Sequence, residues 1–321
     1  MGTKCALGID FGGTTIKTAV VTPEGKIISR GSVPTGMPAE PETLVETTVR
    51  ACRDQVAAAG LSMSDIGGAG IGMPGTVNQE TDCVEYANNL GMTNFPFIRK
   101  LREALEIPVT GGNDADCAAL GEYMAGAGKG VRSLVLVTLG TGVGGGIVVN
   151  GKIWSGINYA AAEFGHMVIE AGGRPCNCGR RGCFEAYASA SALVSQAERK
   201  AEEVPDSVLG KVYREKGHLT GKDVLQALNE GDAAAKKVFD EYVYYLAIGI
   251  TNLINIFQPD RLLIGGGISN FGDVLLVPVK RMVEKYRYSR YSEKNTEIGL
   301  ASLRNDAGLI GSAALTGILK V

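Results

Sequence analysis

Between His166 and Glu185 the chain reads HMVIEAGGRPCNCGRRGCFE, so twenty residues hold one of its two histidines, three of its seven cysteines and two glutamates, Glu170 and Glu185. Cys176, Cys178 and Cys183 are spaced C-x-C-x4-C, and His166 lies ten residues ahead of them. Three thiolates and one imidazole make a closed tetrahedral zinc shell; four protein ligands leave no position for water, so such a metal is structural. It would clip Glu163 and Glu185, which flank it, into fixed positions. A disulfide knot suits small secreted domains rather than a chain of 321 residues in a reducing compartment. A zinc-dependent hydrolase would need an open ligand position. Core packing remains the competing reading for each cysteine. It suits Cys5, Cys52, Cys83 and Cys117, which lie in apolar-periodic surroundings. Three cysteines within eight residues, interleaved with Gly and Arg, do not look like a core segment. His218, in REKGHLTGKD, reads as a solvated loop residue.

Three glycine clusters form the second candidate: DFGGTT at Asp10–Thr15, GTGVGGG at Gly140–Gly146, and GGG at Gly265–Gly267. Glycine lets backbone amides turn inward and approach an anion, which is how loops hold phosphates. Each cluster leaves an apolar strand, and the first adds an Asp and two hydroxyls, so a nucleotide triphosphate is favoured over three plain hairpin turns. None has the G-x-x-x-x-G-K-[ST] pattern. GTGVGG has dinucleotide-type spacing, but an apolar β run follows it instead of a helix, which argues for a hairpin.

The third candidate is GGNDADCAALGE, Gly111–Glu122, placed after the strand-like IPVT. Asn113 and Asp114 fall where a strand hands over to a helix beginning near Ala115. Both residues favour a helix N-cap. Asp114 also suits a second role, as the base that accepts a hydroxyl proton during phosphoryl transfer. Spacing alone leaves the two readings even, and the phosphate loops tip it towards the base.

These residues need a scaffold. Lys4–Ile9 and Ile16–Thr22 read as strands around the first Gly turn, followed by PEGK and a third strand, IISRGSV. A helix is expected over Pro41–Ala59, then a strand running into a Gly/Pro turn over Ile66–Gly75. Ser133–Gly156 repeats the opening grammar: strand, Gly-rich turn, strand, NGK turn, third strand. Two copies of one supersecondary unit predict two related lobes. Helical patterns follow at Ala186–Glu202 and Gly231–Phe257, then a strand at Arg261–Ser269 and a terminal helix over 305–321.

Composition narrows the function. The length suits two α/β lobes. Lys and Arg number 32 against 34 Asp and Glu, without runs of like charge, so neither nucleic acid nor an anionic membrane is an expected partner. The longest apolar run, Val243–Phe257, is shorter than a membrane span and contains Asn252 and Asn255, so it reads as a buried core helix. No secretory leader is evident, and a cytoplasmic location is expected.

DFGGTT, NDADCAALGE, GTGVGGGIV, the series E-x2-H-x6-G-x2-C-x-C-G-x2-G-C-x-E and IGGGIS together resemble the ROK family of sugar kinases, repressors and uncharacterised proteins, from Leu7 to the terminal helix. The resemblance implies an α/β, two-lobed, actin-like (ribonuclease H-like) sugar kinase fold with ATP and sugar in the interlobe cleft. The smaller lobe would comprise residues 1–118 and 303–321, and the larger one, with the zinc site, residues 119–302. Asp114 would be the general base for the hydroxyl at carbon 6 of a hexose. Asn113, Glu163, His166 and Glu185 would hydrogen-bond the sugar, with His166 also on the zinc, and Asn89 in YANNLG would add a contact. Asp10, Gly12, Gly13 and Thr14 would meet the phosphates and Mg²⁺. Gly140, Thr141, Gly142, Gly144 and Gly145 would meet them from the other side, and Gly266 and Gly267 the adenosine. A homodimer or dimer of dimers is usual in such relatives.

One departure concerns charge. Many members follow GGT with Lys; here Thr15 follows and Lys17 comes two later, which predicts intact phosphate contacts with one possible charge removed. Repressors of the family carry a helix-turn-helix domain ahead of the first glycine motif, whereas that motif begins here at Asp10. An ATP-dependent kinase is therefore expected, with glucose as first substrate and N-acetylmannosamine as the alternative. A sugar-sensing regulator without turnover is the reading from another class, and an intact Asp114 argues against it.

Overall fold

The computed structural model describes residues 4–87 and 90–320. The opening hairpin forms as its patterning predicts: β1 (Cys5–Phe11) and β2 (Thr15–Val21) are almost continuously buried, while β3 (Ile27–Pro34) alternates half-buried and exposed positions as an edge strand does. Helix α1 (Pro41–Ala58) starts with proline in its first turn and is followed by β4 (Ile66–Met73). A small antiparallel sheet, β5 (Thr76–Asn78), β6 (Cys83–Ala87) and β7 (Met92–Phe95), comes next. Sequence patterning did not reveal it, because its strands are three to five residues long. Helix α2 (Phe97–Leu105), β8 (Val109–Asn113) and α3 (Asp114–Ala125) complete this segment. Leu7, Ile9, Phe11, Leu44, Ile71, Phe97 and Leu101 form one apolar core between the first sheet and α1 and α2.

Strands β9 (Ser133–Leu139), β10 (Val143–Val149) and β11 (Lys152–Ile153) repeat the opening hairpin. A helical stretch follows: α4 (Glu185–Ala188), α5 (Ala190–Glu203), α6 (Val208–Lys216), α7 (Gly221–Asn229) and α8 (Ala233–Phe257). The chain ends with β12 (Arg261–Gly265), α9 (Asp273–Tyr286), β13 (Glu297–Leu300) and α10 (Ala307–Ala314).

The duplication is explicit in the sheets. The first has the order β3-β2-β1-β4-β8 and the second β11-β10-β9-β12-β13. In the first, β1 pairs with β2 antiparallel and with β4 parallel; in the second, β12 and β13 are parallel. The chain divides into two compact units, Met1–Leu136 with Gly146–Ala162 and Ala301–Val321, and Val137–Gly145 with Glu163–Leu300. This partition differs from the division at residue 118 read from the sequence. Helix α3 stays whole in the first unit because it packs against α10. Its buried Glu122 accepts hydrogen bonds from the backbone N–H groups of Ala127, Ser302 and Leu303.

Three local expectations are revised. The helix expected over Ala186–Glu202 is two helices, because Ser189 leaves helical geometry and caps α5 by accepting from the Ala192 N–H at 3.0 Å. The expected terminal helix is only eight residues long, with Gly317 beyond it in a left-handed conformation. The strand expected over Arg261–Ser269 ends at Gly265 and passes into a short 3₁₀ turn. Helix α8 is the expected core helix: Val243, Leu246, Ile250, Leu253 and Ile254 are buried. No helix among the described residues is long and apolar enough to cross a membrane.

Candidate active site

In the first unit, the β1–β2 turn is drawn tight by the Gly12 N–H donating to the Thr15 carbonyl at 2.9 Å and the Thr35 hydroxyl donating to the Gly12 carbonyl at 2.8 Å. Gly13 and Thr14 at its tip are exposed, as a phosphate-facing loop requires. Asp10 is paired in register with Lys17 across the hairpin, and Lys17 Nζ meets Asp10 Oδ2 at 2.8 Å. The expected loss of charge is thus corrected. Antiparallel pairing returns position 17 to the side of position 10, so the cation stays at the loop. The signal lay in the hairpin register, which the sequence reading did not follow through. The Asp10 carboxylate also rests on the first turn of α10, where a Cβ added to Gly308 would lie 3.1 Å from Asp10 Cγ.

At the β8–α3 junction the two readings of Asn113 and Asp114 separate. Asn113 is the cap: its Oδ1 accepts from the N–H groups of Ala115 at 2.8 Å and Asp116 at 3.3 Å, and its Nδ2 donates to the Gly75 carbonyl at 3.1 Å. Asp114 stands in the first turn of α3, exposed, with Oδ1 accepting from the Ala115 N–H at 2.8 Å. One residue performs the structural task, and its neighbour presents a carboxylate to solvent. Cys117 lies beneath this junction. Burial above all, then the charges of Asp116, Asp114 and Asp10, push its thiol well above the usual range. Cys52 is likewise fully buried and pushed up to about 12. Both are inert core cysteines, as expected. Cys5 and Cys83 are only half-buried. His218 is exposed.

In the second unit the β9–β10 turn is built differently. Glu185, first residue of α4, accepts from the Val143 N–H through Oε2 at 3.0 Å, and a side chain at Gly142 would overlap that carboxylate. Gly142 is therefore required by close approach. The Gly140 N–H donates to the Gly142 carbonyl, and the Gly140 carbonyl accepts from Ala190 N–H, the start of α5. Thr141 is exposed, and Gly144 and Gly145 continue into β10. At the end of β12, Gly266 and Gly267 are exposed, with Gly266 at φ +80°.

The cysteine segment folds as a knuckle. The Cys176 N–H donates to Arg180 O at 2.9 Å, Gly179 N–H to Cys176 O at 3.0 Å, and isolated bridges join Pro175 to Arg181 and Val168 to Cys183. The ligand atoms of His166, Cys176, Cys178 and Cys183 all lie within 4.8 Å of one another. The Sγ atoms of Cys178 and Cys183 are 3.6 Å apart, and Cys176 Sγ is 3.8 Å from His166 Nδ1. Metal bonds of about 2.3 Å to sulfur and about 2.0 Å to nitrogen put tetrahedral donors about 3.5–3.8 Å apart, so this donor set fits zinc. Cys176 Sγ is also 3.8 Å from Glu185 Oε1. Glu185 thus holds the glycine turn through Val143 and lies beside the knuckle. Glu163 is exposed at the start of the 3₁₀ turn Phe164–His166. Asn89 lies outside the described residues.

A repeated five-stranded sheet with a glycine turn after the first strand of each copy is the architecture of the actin-like sugar kinases, and this is that fold. The chain belongs to the ROK family, whose model matches residues 6–317. It is 42% identical to a glucokinase of Halalkalibacterium halodurans over 98% of this chain and 96% of that protein. An N-acetyl-D-glucosamine kinase of Haemophilus influenzae is 30% identical over 96% and 98%. Among solved structures, the ROK glucokinase of Streptomyces griseus in complex with glucose and AMPPNP is 34% identical and superposes with a TM-score of 0.81, covering 97% of this chain and 98% of that one.

Proposed function

We propose that this protein is an ATP-dependent hexose kinase that converts glucose to glucose 6-phosphate, with Asp114 as general base. The observation that carries this reading is the division of labour at the β8–α3 junction. Asn113 satisfies the helix end, and Asp114, at the same end of the first sheet as Asp10 with β4 between them, is left exposed to receive a proton. Likeness to glucokinases over nearly the whole chain supports the substrate.

The chemistry asks little covalent work of the protein. As the sugar O6 bonds to the γ-phosphorus, the bond from that phosphorus to the β-bridging oxygen breaks, ADP leaves, and the O6 proton passes to an Asp114 oxygen. Positioning does the rest, and well-oriented intramolecular reactions gain about 7–11 kcal/mol from it. Glu163, His166 and Glu185 are assigned to the sugar hydroxyls, because a carboxylate accepts two such bonds. Asn113 Nδ2 has a second proton to offer beside the one given to Gly75. The glycine turns at Gly12–Gly13 and Gly140–Gly145 supply backbone N–H groups to the phosphates, and Gly266 and Gly267 leave room for the adenosine. Asp10 is the carboxylate suited to hold a Mg²⁺ brought in with ATP, which would neutralise phosphate charge. His166, Cys176, Cys178 and Cys183 would hold a Zn²⁺, which would be structural and would fix the turns from which His166 and Glu185 project.

The test is ATP consumption with Mg²⁺ across glucose, N-acetylmannosamine, N-acetylglucosamine, allose and fructose. Glucose should turn over fastest, and Asp114→Asn should lower kcat by about 10²–10⁴-fold while sugar still binds. Sugar binding without turnover of any of the five would refute the enzyme; faster turnover of an acetamido sugar would replace the substrate.

A further inference from the structure

On the helical face of the second unit, away from the glycine turns in sequence, α5 and α8 line a half-open cavity of about 270 Å³ with the base of the cysteine knuckle. Its wall carries four cationic side chains, Arg174, Arg199, Lys200 and Lys237, against two carboxylates. The carboxylates are committed: Glu241 Oε1 meets Arg174 Nη2 at 2.6 Å, and Glu203 Oε2 meets Lys200 Nζ at 2.6 Å. Arg199 and Lys237 are exposed and form no ion pair within 4.0 Å among the described residues, though Glu203 feels the charge of both; Arg199 Nε donates to the Ser195 carbonyl at 3.3 Å.

Two buried polar atoms lie behind the cavity wall and would reach a ligand only by a turn of the Arg174 or Gln196 side chain. Arg174 Nη1 and Gln196 Oε1 are both inaccessible and have no hydrogen-bond partner among the described residues. Gln196 is 7% exposed. Its amide orientation is set by Nε2, which donates to the carbonyls of Ala192 at 2.9 Å and Tyr187 at 3.2 Å, so the unpartnered atom is an acceptor. Leaving such groups unpaired costs about 1–3 kcal/mol each, more for a charged group. A planar guanidinium with spare donors, two further cations and one acceptor match a phosphate group that carries, or is attached to, a hydroxyl. The volume falls just under the range of about 300–1,000 Å³ typical of drug-sized ligands, which suits a small metabolite.

We infer that this cavity is an effector site for a phosphate group, either orthophosphate or a small sugar phosphate, and that its occupancy acts on the sugar-binding turn. The route is short. The Arg174 guanidinium lies 4.5 Å from the Tyr187 ring centroid, and the Arg174 N–H donates to the Tyr187 hydroxyl at 2.8 Å. Gln196 holds the carbonyl of the same tyrosine. Tyr187 sits two residues after Glu185 in α4, and Arg174 two residues before Cys176. An anion that draws Arg174 and Gln196 together tightens both grips on α4. The site stands apart from the kinase reading; its effect on sugar rests on that reading.

The experiment is calorimetric titration of the full-length protein with sodium phosphate and with glucose 6-phosphate, at saturating AMPPNP and Mg²⁺ so that the nucleotide's phosphate positions are filled. Parallel measurements give KM for glucose at several phosphate concentrations. Saturable binding should weaken about tenfold or more in Arg199→Gln/Lys237→Gln, which leaves every contact to Tyr187 intact, and tighten in Glu203→Gln, which removes a competing carboxylate. Tighter binding of the sugar ester identifies the reaction's product as the effector; equal or tighter binding of orthophosphate identifies free phosphate. KM for glucose should shift with phosphate in the unmodified protein and not in the double variant. Absence of saturable binding, or binding equal in all three proteins, would overturn the site. Binding with no change in KM, in a protein that turns over glucose, would overturn the effector role. Should the double variant fail to fold, Glu203→Gln alone decides the matter, by tightening or not.

Discussion

The two glycine hairpins share a strand pattern and differ in how their turns are held. In β1–β2 the brace is internal: Asp10 and Lys17 face each other across the ladder, and the tip at Gly13 and Thr14 projects beyond them. In β9–β10 no charge lies within the turn, and the brace comes from outside, from Glu185, which reaches Val143 N–H and lies beside Cys176. A self-braced hairpin can carry a charge pair to a phosphate and a metal without help from other elements. An externally braced one is coupled to whatever positions its brace, here a knuckle with a fitting zinc donor set. Duplication thus produced two glycine-turn hairpins, one autonomous and one dependent.

The largest expected effect tests that dependence. Removing zinc with a chelator, or replacing the buried Cys183 with Ser, should cost about 10–100-fold in kcat/KM for glucose and lower the melting temperature. Retained sugar affinity in a demonstrably metal-free protein would show that Glu185 needs no clip. Next, Gly142→Ala forces Glu185 off the turn, at about 1–3 kcal/mol. Its KM for glucose should rise roughly tenfold, with the zinc content unchanged. If KM for ATP rose instead, the brace would serve the nucleotide side alone. Smaller again is Lys17→Met. The pair is part-exposed, so stability should change by about 0.2–1 kcal/mol, while KM for ATP rises several-fold and KM for glucose holds. A large stability loss would mean that the first hairpin is not autonomous. At the bottom of the scale, His218→Ala should leave stability within about 0.5 kcal/mol and kinetics unchanged, since the ring is exposed and touches only the Lys216 carbonyl.

Much of this was legible in the chain. The C-x-C-x4-C spacing with His166 brings four donors together because the knuckle is local: eighteen successive residues carry the donor atoms and the backbone bonds that fold them. The strand–glycine–strand grammar was readable for the same reason, since a hairpin is closed by neighbours. The three-stranded sheet over residues 76–95 was missed, as strands of three to five residues have too few alternations to announce a period. The role of Lys17 required counting through the hairpin register, and the break at Ser189 required weighing a cap against a continuous apolar pattern.

Sequence by itself determined the chemistry on offer: a carboxylate at Asp114, amide-rich turns, a zinc-competent cluster and a balanced charge that turns attention to small ligands. Tertiary structure decided which residue does which task. Asn113 rather than Asp114 caps α3, Glu122 ties α3 to the segment before α10, Glu185 braces the second glycine turn, and Arg174 and Gln196 face one cavity. Apart from the cap itself, which is local, the hydrogen-bonded ties depend on groups between 38 and 181 positions apart meeting: Asn113 with Gly75, Glu185 with Val143, and Glu122 with Ser302 and Leu303. No local pattern encodes such meetings, because packing, and not spacing along the chain, sets them.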